Sequence, residues 1–156
     1  MADQLADNVE IRCMTIDDYD QVYALWERIQ GFALRSVDDS REYIDRFLRR
    51  NPTTSVVAVV DGQVVGTILC GHDGRQGKFY HVCVEPTHRK LGLGRAMVRF
   101  SLAALNAEGI SKCTLVAFNS NEGGNAFWRH IGWTSRADVS SYEFLLNEEN
   151  ITRYVE

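Results

Sequence analysis

The stretch Val84-Glu85-Pro86-Thr87-His88-Arg89-Lys90-Leu91-Gly92-Leu93-Gly94-Arg95 constrains the fold more than any other part of the chain. A run rich in aromatic and β-branched residues from Phe79 to Val84 predicts a strand, Pro86 stops it, and apolar residues at helical spacing predict a helix over Leu93 to Glu108. A strand that passes through two glycines into a helix start makes an anion cradle. The first amides of a helix lack partners and sit at the positive end of its dipole, which favours an anion there by roughly 0.3–1 kcal/mol. Gly92 and Gly94 allow phosphates to come close, and Arg89, Lys90 and Arg95 bring charge suited to a pyrophosphate.

Two common phosphate loops are excluded by spacing. A Walker A loop needs Gly-Lys followed by Ser or Thr, and here Gly94 is followed by Arg95-Ala96. A dinucleotide fingerprint needs a third glycine, whose place is held by Met97.

Composition narrows the class further. At 156 residues and 45% hydrophobic, the chain suits a single domain that needs no covalent staple. A net charge of −4 gives no cationic field for nucleic acid, and Arg46, Arg49 and Arg50 read as a solvated helix face. Cys13, Cys70, Cys83 and Cys113 are dispersed, lie in or beside predicted strands and form no Cys-x-x-Cys pair, so reduced thiols are expected and a metal site is not. No apolar run reaches membrane-span length and the first residues are polar, so the expectation is a soluble, cytoplasmic protein.

Along the chain, Val9 to Met14 predicts a strand, and Thr15 with Asp18 a capping box for a helix carrying Val22, Leu25, Trp26 and Ile29. Trp26 belongs to that helix's core stripe. A linker Phe32 to Val37 follows, with Ser36 or an aspartate at 38 or 39 expected to cap a second helix bearing Tyr43, Ile44, Phe47 and Leu48. Ser55 to Val60 and Val64 to Cys70 predict a hairpin turning at Asp61-Gly62. Gly71 to Gly77 reads equally as a mobile loop or as one reaching over a site. After the long helix come a strand over Lys112 to Phe118 and a short helix from Asn121 to His130 with Ala126, Phe127 and Ile131 inward. A pair of strands follows, near Trp133 to Ala137 and Ser140 to Leu146, then a loosely held acidic tail over 147–156.

The spacing Arg89-x-x-Gly92-x-Gly94 after a Val-x-Pro strand end resembles the acetyl-CoA signature of the GNAT superfamily of N-acyltransferases. Asn121, Ala126-Phe127-Trp128 and Ile131-Gly132-Trp133 resemble that family's helix beside the thioester, and the order of predicted elements matches across nearly the whole chain. Gly71-His72-Asp73-Gly74-Arg75, Tyr80-His81-Val82 and Phe127-Trp128 look like a bacterial subgroup close to the ribosomal-protein-type acetyltransferases. The resemblance implies an α/β fold with a mixed, mostly antiparallel central sheet flanked by helices, as one domain over 1–156 with its core at about 9–146. It implies acetyl transfer from acetyl-CoA, as co-substrate, to a primary amine by direct attack. The acceptor is a small molecule or a protein N-terminus, and a homodimer is a candidate assembly.

In that scheme the backbone of Val82, Cys83 and Val84 pairs with the pantetheine arm, the amides from Lys90 through Leu91, Gly92, Leu93 and Gly94 to Arg95 take the pyrophosphate, with Arg89 beside them, and Asn121 and Trp128 flank the thioester. The acid and base positions depart from the family. Where relatives place Glu or His on the central strand, this chain has Tyr80 and Lys78; a Glu of the next strand corresponds to Val116, and the usual Tyr acid to Trp128. A primary amine of pKa near 10.4 is neutral in only about one molecule in 10³ to 10⁴ at pH 7, so a proton path is needed. Tyr80, His81 and Asp73 are its candidates, acting through water, unless the amine arrives with an already lowered pKa. Tyr80 and His81 are taken as the catalytic pair. By strict alternation Tyr80 shares a strand face with Val82 and Val84, and His81 points away unless a bulge intervenes. The rival reading is a non-catalytic acyl-CoA-binding regulatory module of the same fold.

Overall fold

The computed structural model describes residues 4–156. Strand β1 (Val9–Cys13) leads through a 3-10 turn (Ile16–Asp18) into helix α1 (Tyr19–Trp26). The Asp18 carboxylate accepts the Thr15 amide at 2.9 Å, the returning half of the expected box, and takes both guanidinium nitrogens of Arg12 at 2.7 and 2.8 Å. A short strand β2 (Ala33–Arg35) occupies the linker, and helix α2 (Arg41–Arg50) follows. Its cap is Ser40, whose hydroxyl accepts the Tyr43 amide, rather than Ser36 or an aspartate. Asp39 instead turns back to accept the Arg35 amide, so the helix begins one residue later.

Strands β3 (Val56–Val60), β4 (Gln63–His72) and β5 (Gly77–Val84) form an antiparallel meander. Asp61 and Gly62 both have positive φ, 50° and 79°, the geometry that a two-residue hairpin of matching twist requires. The ends of the glycine-rich segment expected after Cys70 are strand, with Gly71 and His72 in β4 and Gly77 in β5. Only residues 73–76 form the turn, tightened by the Asp73 carboxylate, which accepts the amides of Arg75 and Gln76, so Asp73 is engaged in a hairpin end.

Helix α3 (Leu93–Ala107) returns the chain to β6 (Cys113–Thr114), parallel to the start of β5, and helix α4 (Glu122–His130) follows. The main sheet has the order β1-β3-β4-β5-β6. Its two faces are covered by different helices. Residues 57 and 59 of β3 join Val22, Leu25, Trp26, Ile44 and Leu48 under α1 and α2, whereas 56 and 58 join Leu93, Met97, Val98 and Leu105 under α3. Burying each of these aliphatic chains contributes roughly 1.5–3 kcal/mol, which is why β3 is apolar at every position.

The C-terminal third departs from expectation. No strand forms over 133–137 or 140–146; the tail expected to be loose instead supplies β7 (Thr152–Tyr154), antiparallel to β2. Val155 donates to the Phe32 carbonyl at 2.8 Å and accepts the Gly31 amide at 2.7 Å, which pins the chain end beside α1. In α4 it is Phe127 and Trp128 that pack inward, while Ala126 is exposed.

Candidate active site

The site begins as a defect in β5. Thr67 pairs with Cys83 and Leu69 with Tyr80, so His81 and Val82 together face the single residue Ile68. That two-against-one count is a β-bulge, and His81 accommodates it at a φ of 49°, a left-handed conformation that non-glycine residues seldom adopt. The bulge changes which way the side chains point. Phe79, Val82 and Val84 belong to the α3 side, whereas Tyr80 packs edge-on to Phe47 of α2 and His81 lies against Trp26 and Phe32. Tyr80 therefore does not share a face with Val82 and Val84, as strict alternation suggested; it shares one with His81.

Three contacts hold the bulge. The Trp26 indole N–H donates to Thr67 Oγ1 at 3.0 Å, the Thr67 hydroxyl donates to the His81 carbonyl at 2.9 Å, and His81 Nε2 lies 2.6 Å from Asp39 Oδ1. The His81 ring centroid is 4.6 Å from Trp26 and 4.8 Å from Phe32, so the imidazole is boxed by aromatics and a buried carboxylate. Tyr80 is more open, at 44% exposure. Partial burial, aided by the charge of Asp38, pushes its phenol above the ordinary tyrosine range, which keeps it protonated at neutral pH.

On its other edge β5 loses its neighbour. Among the described residues the ladder to β6 covers only Gly77 with Cys113 and Lys78 with Thr114, so the edge of β5 from Tyr80 to Val84 has no strand neighbour on that side. A strand edge with unpaired amides and carbonyls is a template for an extended partner. The 82–84 backbone sits in that edge.

At the end of the cleft lies the turn into α3. Arg89 Nε donates to the Val84 carbonyl at 3.1 Å, Lys90 has a φ of 64° and Gly92 one of 83°. Left-handed residues alternating with ordinary ones turn successive amides inward, making a nest for an anion. Among the described residues no protein acceptor meets the amides of Lys90, Leu91, Gly92, Leu93 or Gly94. The Leu93 side chain is buried beneath the helix, so what this residue offers the cleft is its backbone. At Gly94 a Cβ would come within 3.3 Å of the Phe127 ring, which leaves little room between helix and cleft for a side chain.

The remaining candidates are placed as follows. Asn121 caps α4, its side-chain oxygen accepting the Gly124 amide at 3.0 Å. Trp128 packs between Phe79, Phe127 and Trp133, with ring centroids at 6.1, 5.0 and 4.8 Å, and so carries packing duty. Val116 is 76% exposed. Of the two residues that fix His81, Thr67 went unmarked in the sequence and Asp39 was marked only as a candidate helix cap. A hydroxyl in the middle of an apolar strand was the available signal for Thr67; Asp39 lies more than forty residues from its partner, and nothing local signalled that pairing. Among the described residues no group of three or more His, Cys, Asp or Glu side chains stands together as a metal site would require, and no helix is long and apolar enough to cross a membrane.

Comparison with known proteins agrees with this geometry. The model of the acetyltransferase (GNAT) family matches residues 13–133. An acetyltransferase of Sodalis glossinidius (strain morsitans) is 36% identical over 114 residues, 73% of this chain and 79% of that one, and an acetyltransferase of Pectobacterium atrosepticum is 34% identical over the same shares. Among solved structures, the PaiA N-acetyltransferase of Thermoplasma acidophilum in complex with coenzyme A superposes with a TM-score of 0.72 at 15% identity, covering 94% of this chain and 98% of that one. The ribosomal-protein-alanine N-acetyltransferase of Brucella melitensis gives 0.64 at 24% identity, covering 89% and 99%. A split sheet, a bulged central strand and an anion nest thus coincide with a family match over most of the chain, and the protein belongs to the acetyltransferase (GNAT) family.

Proposed function

We propose that the protein transfers an acetyl group from acetyl-CoA to a primary amine, on a small molecule or a peptide N-terminus, at the cleft where β5 leaves β6. One observation carries this reading. The unpaired β5 edge leads to the turn whose amides at Lys90 to Gly94 have no protein acceptor among the described residues, so an extended arm ending in a pyrophosphate finds partners along its whole length. The backbone of Val82, Cys83 and Val84 holds the arm by main-chain pairing, and the nest with Arg89, Lys90 and Arg95 takes the phosphates. The bound thioester supplies an activated carbonyl, to which the amine nitrogen bonds as the carbon–sulfur bond breaks.

The protein's own residues then manage protons. Tyr80, kept neutral, holds water at the acceptor side and passes the ammonium proton along without ionising. His81 offers a second acceptor, since Asp39 engages one ring nitrogen and fixes the ring, leaving the other to take a proton. Asn121 and Trp128 line the α4 side, where the departing sulfur gains its proton from solvent, because an indole N–H hydrogen-bonds without dissociating.

Release of free CoA, corrected for hydrolysis, measured with a panel of amines and N-terminal peptides, tests the proposal. Amine-dependent release is expected. Tight CoA binding with no turnover on any amine would favour a regulatory acyl-CoA-binding module instead.

A further inference from the structure

The chain has three lysines, Lys78, Lys90 and Lys112, among 17 basic residues. The distinction from arginine is chemical: a guanidinium keeps its charge, whereas a lysine amine can shed its proton and act as a nucleophile. Lys90 belongs to the turn before α3, and Lys112 is exposed just ahead of β6. Lys78 stands elsewhere. It is the last residue of β5 paired with β6, opposite Thr114, at the point where the edge of the strand becomes open.

The Lys78 side chain leaves the strand on the Tyr80 face, opposite Phe79, which is buried on the α3 side. Its Nζ lies 5.2 Å from the centre of the Tyr80 ring, and it has no ion pair or side-chain hydrogen bond among the described residues. The residue is partly buried, a setting in which an ammonium normally finds a carboxylate. Here it has an aromatic face, a contact worth about 0.5–1 kcal/mol at an open site. Tyr80 is the residue that the proposed function sets at the acceptor side, with water on its phenol. Lys78 therefore holds a primary amine, the group that the proposed reaction acylates, beside the ring that an acceptor must approach. Its four-carbon stem is flexible, and so weak a hold lets it swing along the strand toward the bulge at His81 and Val82.

We propose that Lys78 is itself an acceptor, acetylated in cis when acetyl-CoA is bound and no external amine is present. This rests on the reading of the open β5 edge and the turn at Lys90 to Gly94 as an acetyl-CoA site. The ammonium first yields one proton to the water at Tyr80. The neutral nitrogen then bonds to the thioester carbonyl carbon, the carbon–sulfur bond breaks, and the second proton, shed as the amide forms, goes to the departing thiolate. The products are acetyl-lysine, CoA and one proton released to solvent. Tethering favours this step, because a nucleophile fixed beside the reacting carbon outcompetes the same group in free solution. Acetylation cancels the charge and ends the cation–π contact, leaving a neutral amide beside Tyr80. The other lysines lack such a position: Lys90 lies in the turn assigned to the pyrophosphate, at the far end of the arm, and Lys112 precedes the paired end of β6.

Incubating the full chain with acetyl-CoA alone, and following its intact mass and peptide map, reads this directly. One acetyl group per chain is expected, on Lys78, at a rate independent of protein concentration. Excess CoA, which fills the site without an acyl group, should suppress it. Lys78→Arg keeps a cation for the Tyr80 ring and should lose the label, and the wild-type map decides even if that variant fails to fold. Label spread over Lys90, Lys112 or the N-terminal amine, a rate that rises with protein concentration, or a Lys78 label indifferent to CoA would overturn the proposal. Amine-dependent CoA release together with an unlabelled Lys78 in the acceptor-free incubation would overturn it and leave the proposed function standing. Neither release nor label would overturn both.

Discussion

His81 Nε2 lies 2.6 Å from Asp39 Oδ1, and this contact ties a left-handed residue in the middle of β5 to the loop that opens α2. Both side chains are shielded, at 14 and 6% exposure, and Asp39 also accepts the Arg35 amide at 2.7 Å. Removing the carboxylate takes the acceptor from two part-buried contacts, each worth roughly 0.5–1.5 kcal/mol. Asp39→Ala should therefore lower the urea midpoint clearly and reduce turnover through the bulge. Coenzyme A affinity, which the proposed function assigns to the turn at Lys90 to Gly94, should change little. An unaltered midpoint would show that the bulge is held by Thr67 alone.

The nest makes a second expectation. A valine at position 92 would be forced into a left-handed conformation, and one at position 94 would press on Phe127, so both also disturb the fold. Gly94→Ala is the milder probe, since its single methyl meets the ring at 3.3 Å and occupies space beside the amides. Titration calorimetry should show CoA binding weakened by about tenfold or more, equivalent to about 1.4 kcal/mol, in Gly94→Ala and further in Gly92→Val. Equal affinity in both, with melting profiles intact, would move the pyrophosphate elsewhere.

Why the sequence revealed some of this and hid the rest is a matter of range. The turn at 84–95, the Asp61-Gly62 hairpin and the apolar stripes of α2 and α3 are local patterns that formed close to their expected bounds, whereas α1, expected to carry Ile29, ends at Trp26. The bulge at His81 was invisible because Tyr-His-Val alternates like any strand; it arises from Trp26, Thr67 and Asp39, drawn from three other parts of the chain. The C-terminal strands failed for a related reason. Tyr142 to Leu146 has strand periodicity, yet periodicity does not say which edge receives a strand, and Thr152–Tyr154, read as tail, found β2 instead. Trp128 was placed beside the thioester by resemblance, whereas its neighbours Phe79 and Trp133 give it a packing role as well.

A pH dependence follows from the Arg12–Asp18 pair. Burial alone would raise the Asp18 carboxyl, but hydrogen bonds from Arg12 and the Thr15 amide outweigh it and hold the group below its ordinary value of 3.8. A carboxylate depressed in the folded state stabilises fully above its unfolded value, near pH 4, and that contribution is lost as pH falls through the lowered folded value. Arg12 is 36% exposed, so solvent screening limits the pair to roughly 1 kcal/mol. Asp18→Asn should be less stable than wild type at pH 7 and lose less on acidification, with the two denaturation midpoints converging below pH 4. Parallel midpoints at every pH would remove the pair from the acid response.

The proposed proton path rests on Tyr80 and His81, which the bulge brings to one face of β5. Tyr80 is the more accessible, and its raised phenol pKa rules it out as a phenolate base near neutrality while leaving it able to orient water. His81 is the more tightly held, its ring in contact with Trp26, Phe32 and Asp39, so replacing it removes a structural brace together with a proton acceptor. Tyr80→Phe should lower the acyl-transfer rate at pH 7 while preserving the melting temperature. Raising the pH toward the amine's own pKa should shrink that deficit, because neutral nucleophile then becomes abundant. His81→Gln should lose stability first, and its remaining rate deficit should hardly vary with pH if the loss comes from a slack bulge. Rate–pH profiles of both variants, at saturating acetyl-CoA with one good acceptor, separate the roles. A deficit in His81→Gln that exceeds that of Tyr80→Phe and closes at high pH would make the imidazole the base and reduce the phenol to a wall of the cleft.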